Sequence, residues 1–532
     1  MTISKQAVNN FISKPLDNWD WIKNLSDQEL QDLIQSYNPV PVVPAYLFRH
    51  QWEMLLLGID LKEFLFLADV GLGKTLTILV LLDYLIHQKK SATRALICVP
   101  NTVLINHWYV QGQTHTPNLH VHELHGSSTE RLHTLVTIRP DVFVITYAGL
   151  VAMLKKQSIN PRTKKKDFII DKKAVAQLAT LFDIVVYDEI QKLLSWRSMT
   201  YEICSQLSQT MKHRFGLTAT LLGRDPQVVW PQYNCIDGGK TFGKTLGIFR
   251  AAFFNEKINF WGGYEYTLRR DKTKLFHDFI KNKSIAYTTD VCNDLPELTT
   301  VDYTVDMPTE YKEYYNDTID TVIAAQGDLV KTKSAFIRMR EITSGYVGFY
   351  HKAEVEMEVE NKTKEFVIFK ENPKLDMLEE LLDQIPEDRK VIIFHVYIKT
   401  GELITKRLTA LSKNNRFKYV WLYGKTKNKI ETLNEFKNGK TNILVCNVDS
   451  GGTGLDLPMA NYMIIFESPV SPMVHHQMLG RIQRPGQQHP MFIYNLLMKD
   501  TVDSKIKDFI KQGKDFYETL IEGKEVLTKC KR

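Results

Sequence analysis

The stretch from Phe64 to Leu82 leaves this chain little conformational choice. Phe64, Leu65, Phe66, Leu67 and Ala68 form an apolar run without polar alternation, and Asp69, Val70, Gly71, Leu72, Gly73, Lys74 and Thr75 follow. Leu76 then begins an apolar helical pattern. A strand lacking alternation is covered on both faces, as in the middle of a parallel sheet. A glycine loop leaving such a strand and opening a helix lets backbone N–H groups close on phosphate oxygens, and the helix dipole favours the negative charge. Lys74 is placed to neutralise the β and γ oxygens of a nucleoside triphosphate, and the Thr75 hydroxyl to ligate magnesium. The phosphate loop is therefore expected at Ala68–Thr75, with Asp69 through Leu76 as its nucleotide-binding stretch.

A literal G-x-x-x-x-G-K-T also occurs, from Gly238 to Thr245. The residues before it, Pro231 to Asp237, include Pro, Asn and Asp and do not read as a buried strand. Because the motif works only in its strand–loop–helix setting, this second copy is expected to be an ordinary loop.

Downstream, Asp183 to Tyr187 is another apolar run, and it ends in Asp188 and Glu189, followed by Ile190 and Gln191. Two carboxylates at a strand end can simply cap the next helix. After a credible phosphate loop they point to chemistry instead: Asp188 to hold magnesium, Glu189 to orient and polarise an attacking water.

Further apolar runs at Ala95–Pro100, Val142–Thr146 and Arg214–Leu217 complete a first α/β region between Tyr46 and Tyr233. A second begins near Lys374, with strands expected at Val391–His395, Tyr419–Tyr423, Asn442–Cys446, Tyr462–Phe466 and Phe492–Leu497. Between them, Pro308–Glu341 reads as helical, and Ala353–Glu360 turning at Asn361–Lys364 into Phe366–Phe369 reads as a hairpin. The organisation expected is a helical N-terminal segment (1–44), a first α/β lobe (45–233), a mainly helical insertion (234–373) and a second α/β lobe (374–532). That matches the three or four units that 532 residues imply at about 150 residues each.

Composition narrows the partners. Lys and Arg number 68 against 61 Asp and Glu, a net +7 that is compatible with a polyanion without establishing one. No apolar run approaches the ~20 residues of a membrane helix. Met1 to Asp17 lacks a basic start followed by an apolar stretch, so neither a secreted nor a membrane protein is expected. The cysteines at 98, 204, 235, 292, 446 and 530 form no C-x-x-C pair and read as reduced thiols. His115, His120, His122 and His125 gather around Glu123 without ligand spacing, so a strand over Asn118–Leu124 is the simpler reading.

At this point the residues resemble a family. Asp188, Glu189, Ile190 and Gln191 resemble the D-E-x-H/Q box of superfamily 2 helicases, and Arg214 to Thr220, ending in Thr218-Ala219-Thr220, their third motif. Ser450 to Leu457, carrying Gly452, Thr453 and Asp456, is similar to the fifth motif of the Swi/Snf-type branch. Gln477 to Gln487, carrying Arg481 and Arg484, is similar to the sixth. Leu47 to Gln51 and Val99 to Trp108 resemble the branch's adenine-reading and P-x-x-L-L-x-x-W segments. The likeness runs in order from about Leu47 to Asp503. Asp456 stands where the branch usually carries Asn, and Ile190-Gln191 replaces Gly-His or Ala-His.

The resemblance implies two tandem RecA-like lobes with ATP and magnesium in the cleft between them. Gln51 would read adenine, and Gly452 and Asp456 would border the nucleotide. Arg481 and Arg484, three apart on a helix and so sharing a face, would stabilise charge on the transferring phosphoryl when the lobes close. Thr218, Thr220 and Gln477 would couple nucleotide state to movement. Asn106, Thr146, Tyr147, Gly424 and Thr453 would face nucleic acid, duplex DNA in this branch, chiefly at its phosphates. Proteins bound to that DNA would be further partners, in a nucleoid or other DNA-containing compartment. The basic run between Leu154 and Val175 suits either a DNA grip or a solvated loop. A strand-separating helicase and an ATP-gated binding switch remain open beside the translocase. The two phosphate-loop candidates separate cleanly: Lys74→Ala should abolish ATP turnover in a steady-state assay and Lys244→Ala should spare it, whereas the reverse pattern would move the site.

Overall fold

The computed structural model describes residues 5–159, 166–222, 225–258, 264–288, 296–324, 329–350, 364–412, 417–451, 455–484 and 486–513. The chain divides into two compact units, Met1–Asn293 and Asp294–Arg532.

The first unit is built on a seven-stranded sheet in which every pairing is parallel. Its order is Ser284–Tyr287, Glu63–Ala68, His213–Thr218, Ile184–Asp188, Ala95–Val99, Val142–Thr146 and Val121–Glu123. The expected strands thus pair side by side, each connected through helices, as parallel strands require. Residues of the inner strands such as Phe64, Ile97, Val144, Val186 and Phe215 are buried, which is why their sequences lack alternation. The helix Lys74–Asp83 is apolar nearly all round for the same reason, with Ile78 through Leu82 buried. The edge strand Ser284–Tyr287 comes from the stretch expected to be a helical insertion; four residues are too few for a period to show.

The second unit carries a six-stranded sheet, also parallel throughout, ordered Leu298–Val305, Met491–Met498, Ala460–Ile465, Lys390–His395, Ile443–Asn447 and Tyr419–Leu422. The helices Thr309–Ala324 and Leu329–Thr343 fall where helix was expected. They pack Tyr311, Tyr315, Phe336 and Met339 against Val502 and Ile506 within this unit. The insertion is therefore shared out: one edge strand to the first sheet, one edge strand and a helical pair to the second unit. Of the expected hairpin, Lys364–Ile368 is a strand, and its partner is Tyr346–Tyr350; Ala353–Glu360 lies outside the described residues. Both sheets with their flanking helices form two tandem RecA-like α/β lobes.

Packing at the centre of the first sheet is tight. A Cβ at Gly216 would lie 2.5 Å from Leu65 Cδ2 and 2.8 Å from Ile190 Cδ1. Gly216→Ala should therefore cost about 1–3 kcal/mol through overpacking, read as a lower denaturant midpoint; an unchanged midpoint would mean the core yields there.

Candidate nucleotide site

Three strand ends meet at one edge of the first sheet. Leu67 is in register with Thr218, and Asp188 with Leu217. The phosphate loop, the acid pair and the third motif consequently leave adjacent strands, at the carboxyl edge where open α/β sheets place ligands.

The loop has the backbone that its glycines allow. Gly71 and Gly73 adopt φ of 92° and 73°, and Gly73 caps the helix Lys74–Asp83. A side chain at Gly73 would collide with the Gln51 amide. Gln51 is buried against the loop: its Oε1 accepts from Phe48 N at 2.9 Å, and the neighbouring His50 Nε2 lies 3.0 Å from Leu72 O. Lys74 Nζ reaches back to Ala68 O at 2.5 Å and Asp69 O at 3.0 Å. Val70 and Leu72 are buried and serve the loop's shape, while Asp69, Thr75 and Leu76 remain partly exposed.

Asp188 and Glu189 are both buried, at 7% and 8% exposure, so their charge needs partners. Trp108 Nε1 donates to Asp188 Oδ2 at 2.9 Å, and the Tyr147 hydroxyl donates to Asp188 O at 2.9 Å. Burial raises the proton affinity of Asp188 and the Glu189 carboxylate raises it further; the Trp108 N–H and the Lys74 ammonium oppose them. A buried carboxylate flanked by a second one and facing a phosphate loop suits a cation, which would recover the cost of ionising it. Thr75 and Asp188 could hold a magnesium ion there. Glu189 sits in the left-handed region at φ 50° and ψ 54°, a conformation costly for a non-glycine residue. Its carboxylate accepts a hydrogen bond from the Gln191 amide, which fixes its direction. Thr218 is fully buried, and its hydroxyl accepts from Thr220 N and donates to Thr220 O, both at 2.9 Å, pinning the turn of the third motif.

The second literal motif has a different setting. Gly238 ends the helix Val229–Asp237, so the loop leaves a helix and not a strand. Its N–H groups are already taken: Gly239, Lys240 and Thr241 N donate to the buried Asp237 carboxylate at 2.9, 3.0 and 2.7 Å. The chain supplies its own anion there.

Several expected roles change. Arg481 and Arg484 do not share a helical face, because the helix Pro472–Leu479 ends before them with Gly480 as its cap. Arg481 is buried, its Nη1 donating to Leu455 O at 3.0 Å, and so it braces the fifth motif from within. Arg484 Nη1 pairs with Asp456 at 2.9 Å, which gives Asp456 a partner in its own unit. Gln477 is buried on that helix. Tyr147 is buried beneath the acid strand, so its side chain does not present itself to nucleic acid. The Thr146 hydroxyl accepts from Gly149 N at 2.9 Å as a helix cap, which occupies it likewise. Asn106 is half-buried and Gly424 exposed; Gly452 and Thr453 lie outside the described residues. The histidines around Glu123 supply one pair, His125 Nε2 to Glu123 Oε2 at 2.8 Å, and no group of three or more His, Cys, Asp or Glu that could hold a metal ion occurs among the described residues. Trp108 went unassigned by sequence reasoning, although it closes the P-x-x-L-L-x-x-W segment; only the fold brings it to Asp188.

Two α/β lobes, the first presenting a phosphate loop beside a buried acid pair, define a helicase-like core of superfamily 2. The family model of the SNF2-related domain matches residues 47–368, and that of the helicase conserved C-terminal domain matches residues 373–486. The chain belongs to the SNF2-related family and carries its paired ATPase domains. It is 24% identical over 484 residues to the CHD3-type chromatin-remodeling factor PICKLE of Arabidopsis thaliana, covering 86% of this chain and 33% of that protein. It is 28% identical over 167 residues to the chromatin-remodeling ATPase INO80 of Lodderomyces elongisporus, covering 30% and 10%. The chain thus spans a third or less of the length of these relatives. The Sulfolobus solfataricus SWI2/SNF2 ATPase core in complex with dsDNA aligns with a TM-score of 0.39 at 19% identity, over 92% of this chain and 97% of that one.

Trp108→Phe keeps the ring's bulk but removes the donor to Asp188. Magnesium-dependent ATP turnover should fall about 10–100-fold, the usual effect of losing a hydrogen bond behind a metal-binding carboxylate; full activity would remove Trp108 from the site.

Proposed function

We propose that the chain hydrolyses ATP with magnesium and couples each turnover to movement along duplex DNA, remodelling protein–DNA complexes or DNA branches. The observation that carries this reading is the convergence of Lys74, Asp188 and Glu189 at one sheet edge, in a chain of the SNF2-related family. Two relatives named for chromatin remodelling support the choice of a duplex track.

Backbone N–H groups of the Gly71–Gly73 loop cradle the phosphates, and Lys74 exchanges its carbonyl partners at Ala68 and Asp69 for phosphate oxygens. Magnesium, held by Thr75 and Asp188, would supply charge neutralisation on those oxygens. Glu189, aimed by Gln191, orients the attacking water and takes its proton. Thr218 and Thr220 transmit the state of this edge through the turn that they pin. In the second unit, Arg484 would stabilise γ-phosphoryl charge by giving up Asp456, while Arg481 holds the fifth motif in place for it. Asn106, Gly424 and Thr453 contact the sugar–phosphate strand, and Thr146 and Tyr147 contribute backbone alone.

A steady-state ATPase assay without polymer, and with duplex DNA, single-stranded DNA or RNA, tests the reading. Duplex DNA should stimulate turnover most, and triplex displacement should proceed without strand separation. Stimulation by RNA alone would overturn the track, and slow turnover insensitive to every polymer would identify a binding switch instead.

A further inference from the structure

Charge is spread unevenly along the chain. From Lys155 to Lys173 the sequence holds eight basic residues against two acidic ones, so six of the seven net positive charges lie within 19 residues. Like charges set so close repel one another, and a surface that only has to stay soluble mixes both signs.

The stretch is anchored at both ends. The helix Tyr147–Leu154 passes straight into Lys155–Ile159, which pairs antiparallel with Lys166–Ile170 as a two-stranded ribbon. Asp171 N donates to Leu154 O at 2.8 Å and closes the neck of the ribbon. Ile170 packs on the core of the first unit, as do Val175 and Leu178 of the next helix, Lys172–Ala179.

The register leaves the charge standing. Lys155 lies opposite Ile170 and Lys156 opposite Ile169, where an acidic residue would have neutralised either. Lys156 reaches Asp171 at 3.5 Å, but Asp171 also caps the following helix by accepting from Lys173 N and Ala174 N. Lys155, Lys172 and Lys173 are exposed and make no ion pair among the described residues. Phe168 and Ile169 are 49% and 43% exposed, and Lys155 Nζ lies 4.4 Å from the centre of the Phe168 ring. Ammonium groups around an exposed apolar face match a partner that alternates anions with hydrocarbon, as phosphates alternate with sugars along a nucleic acid strand. A two-stranded ribbon is also narrow enough for the major groove of B-form DNA, about 12 Å wide.

We propose that this ribbon is a second grip on duplex DNA, apart from the motifs that couple to the nucleotide, in which Lys155, Lys156, Lys172 and Lys173 meet backbone phosphates and Phe168 rests against a sugar. The proposal rests on the duplex track proposed above and adds an anchor to it. Because these lysines belong neither to the phosphate loop nor to the acid pair, the ribbon holds DNA with or without ATP.

Binding of the full chain to a duplex of random sequence, without nucleotide and across a salt series, tests this. Changing Lys155, Lys156, Lys172 and Lys173 together to Gln should flatten the slope of log affinity against log salt by about 2–4, since each lost phosphate contact removes about 0.9. Affinity at low salt should fall about tenfold or more, while ATP turnover without polymer stays at the wild-type value. Changing the exposed Lys89, Lys274, Lys312 and Lys440 to Gln removes the same charge elsewhere and should leave the slope near that of the wild type. An unchanged slope in the ribbon variant, or equal losses in both variants, overturns the proposal. So does poly-glutamate that binds the ribbon more tightly than the duplex, which would make the partner an acidic protein. A wild-type chain whose ATP turnover responds to no polymer overturns the proposed function instead, and the difference in slope still decides the ribbon.

Discussion

The parallel backbone ladder joining Glu63–Ala68, His213–Thr218 and Ile184–Asp188 is the constraint on which the first unit depends. A ladder in register brings three strands to a common end, and the chain must then leave the sheet three times within a few ångströms. Each exit is used. One becomes a glycine loop capping a helix, one a buried acid pair, one a threonine turn. Were Glu63–Ala68 to slip by one residue, every side chain on it would change faces, and Lys74 would no longer approach Asp188.

That edge is expensive to build. Two adjacent carboxylates are removed from water, and Glu189 takes a left-handed conformation. The surroundings offset this through directed donors: an indole N–H on Asp188 and a glutamine amide on Glu189. Residual frustration of this kind suits a site whose charge is satisfied by a bound cation and polyphosphate. The loop at Gly238–Thr245 shows the opposite economy, since Asp237 fills the ring of N–H groups from within and leaves no demand for a ligand.

The second unit repeats the device with different groups. Glu467 lies just beyond the end of Ala460–Ile465, fully buried, and accepts from Val396 N at 2.7 Å, Tyr397 N at 3.0 Å and Thr400 Oγ1 at 2.6 Å. It ties the exit of one strand to the start of the helix Ile398–Leu411. Lys374 is held beside it by Phe466 O at 3.2 Å and by Asp503. The Arg484–Asp456 pair is looser, with the Asp456 side chain 35% exposed. With its carboxylate partly open to solvent, such a pair contributes little to stability.

Local sequence determined the phosphate loop, the acid pair and most strands of both sheets, because a glycine-rich strand–loop–helix and unbroken apolar runs impose their structure from within about ten residues. It also exposed the false loop, whose preceding residues cannot be a buried strand. Tertiary structure decided the rest. Ser284–Tyr287 became a strand only because Glu63–Ala68 offered it an open edge, and Arg481 went inside because the helix before it stops at Leu479. Trp108 found Asp188 across 80 positions of chain, and Lys23 found Ala286 across 263. Contacts at that separation depend on how helices and strands stack, and no local period encodes them.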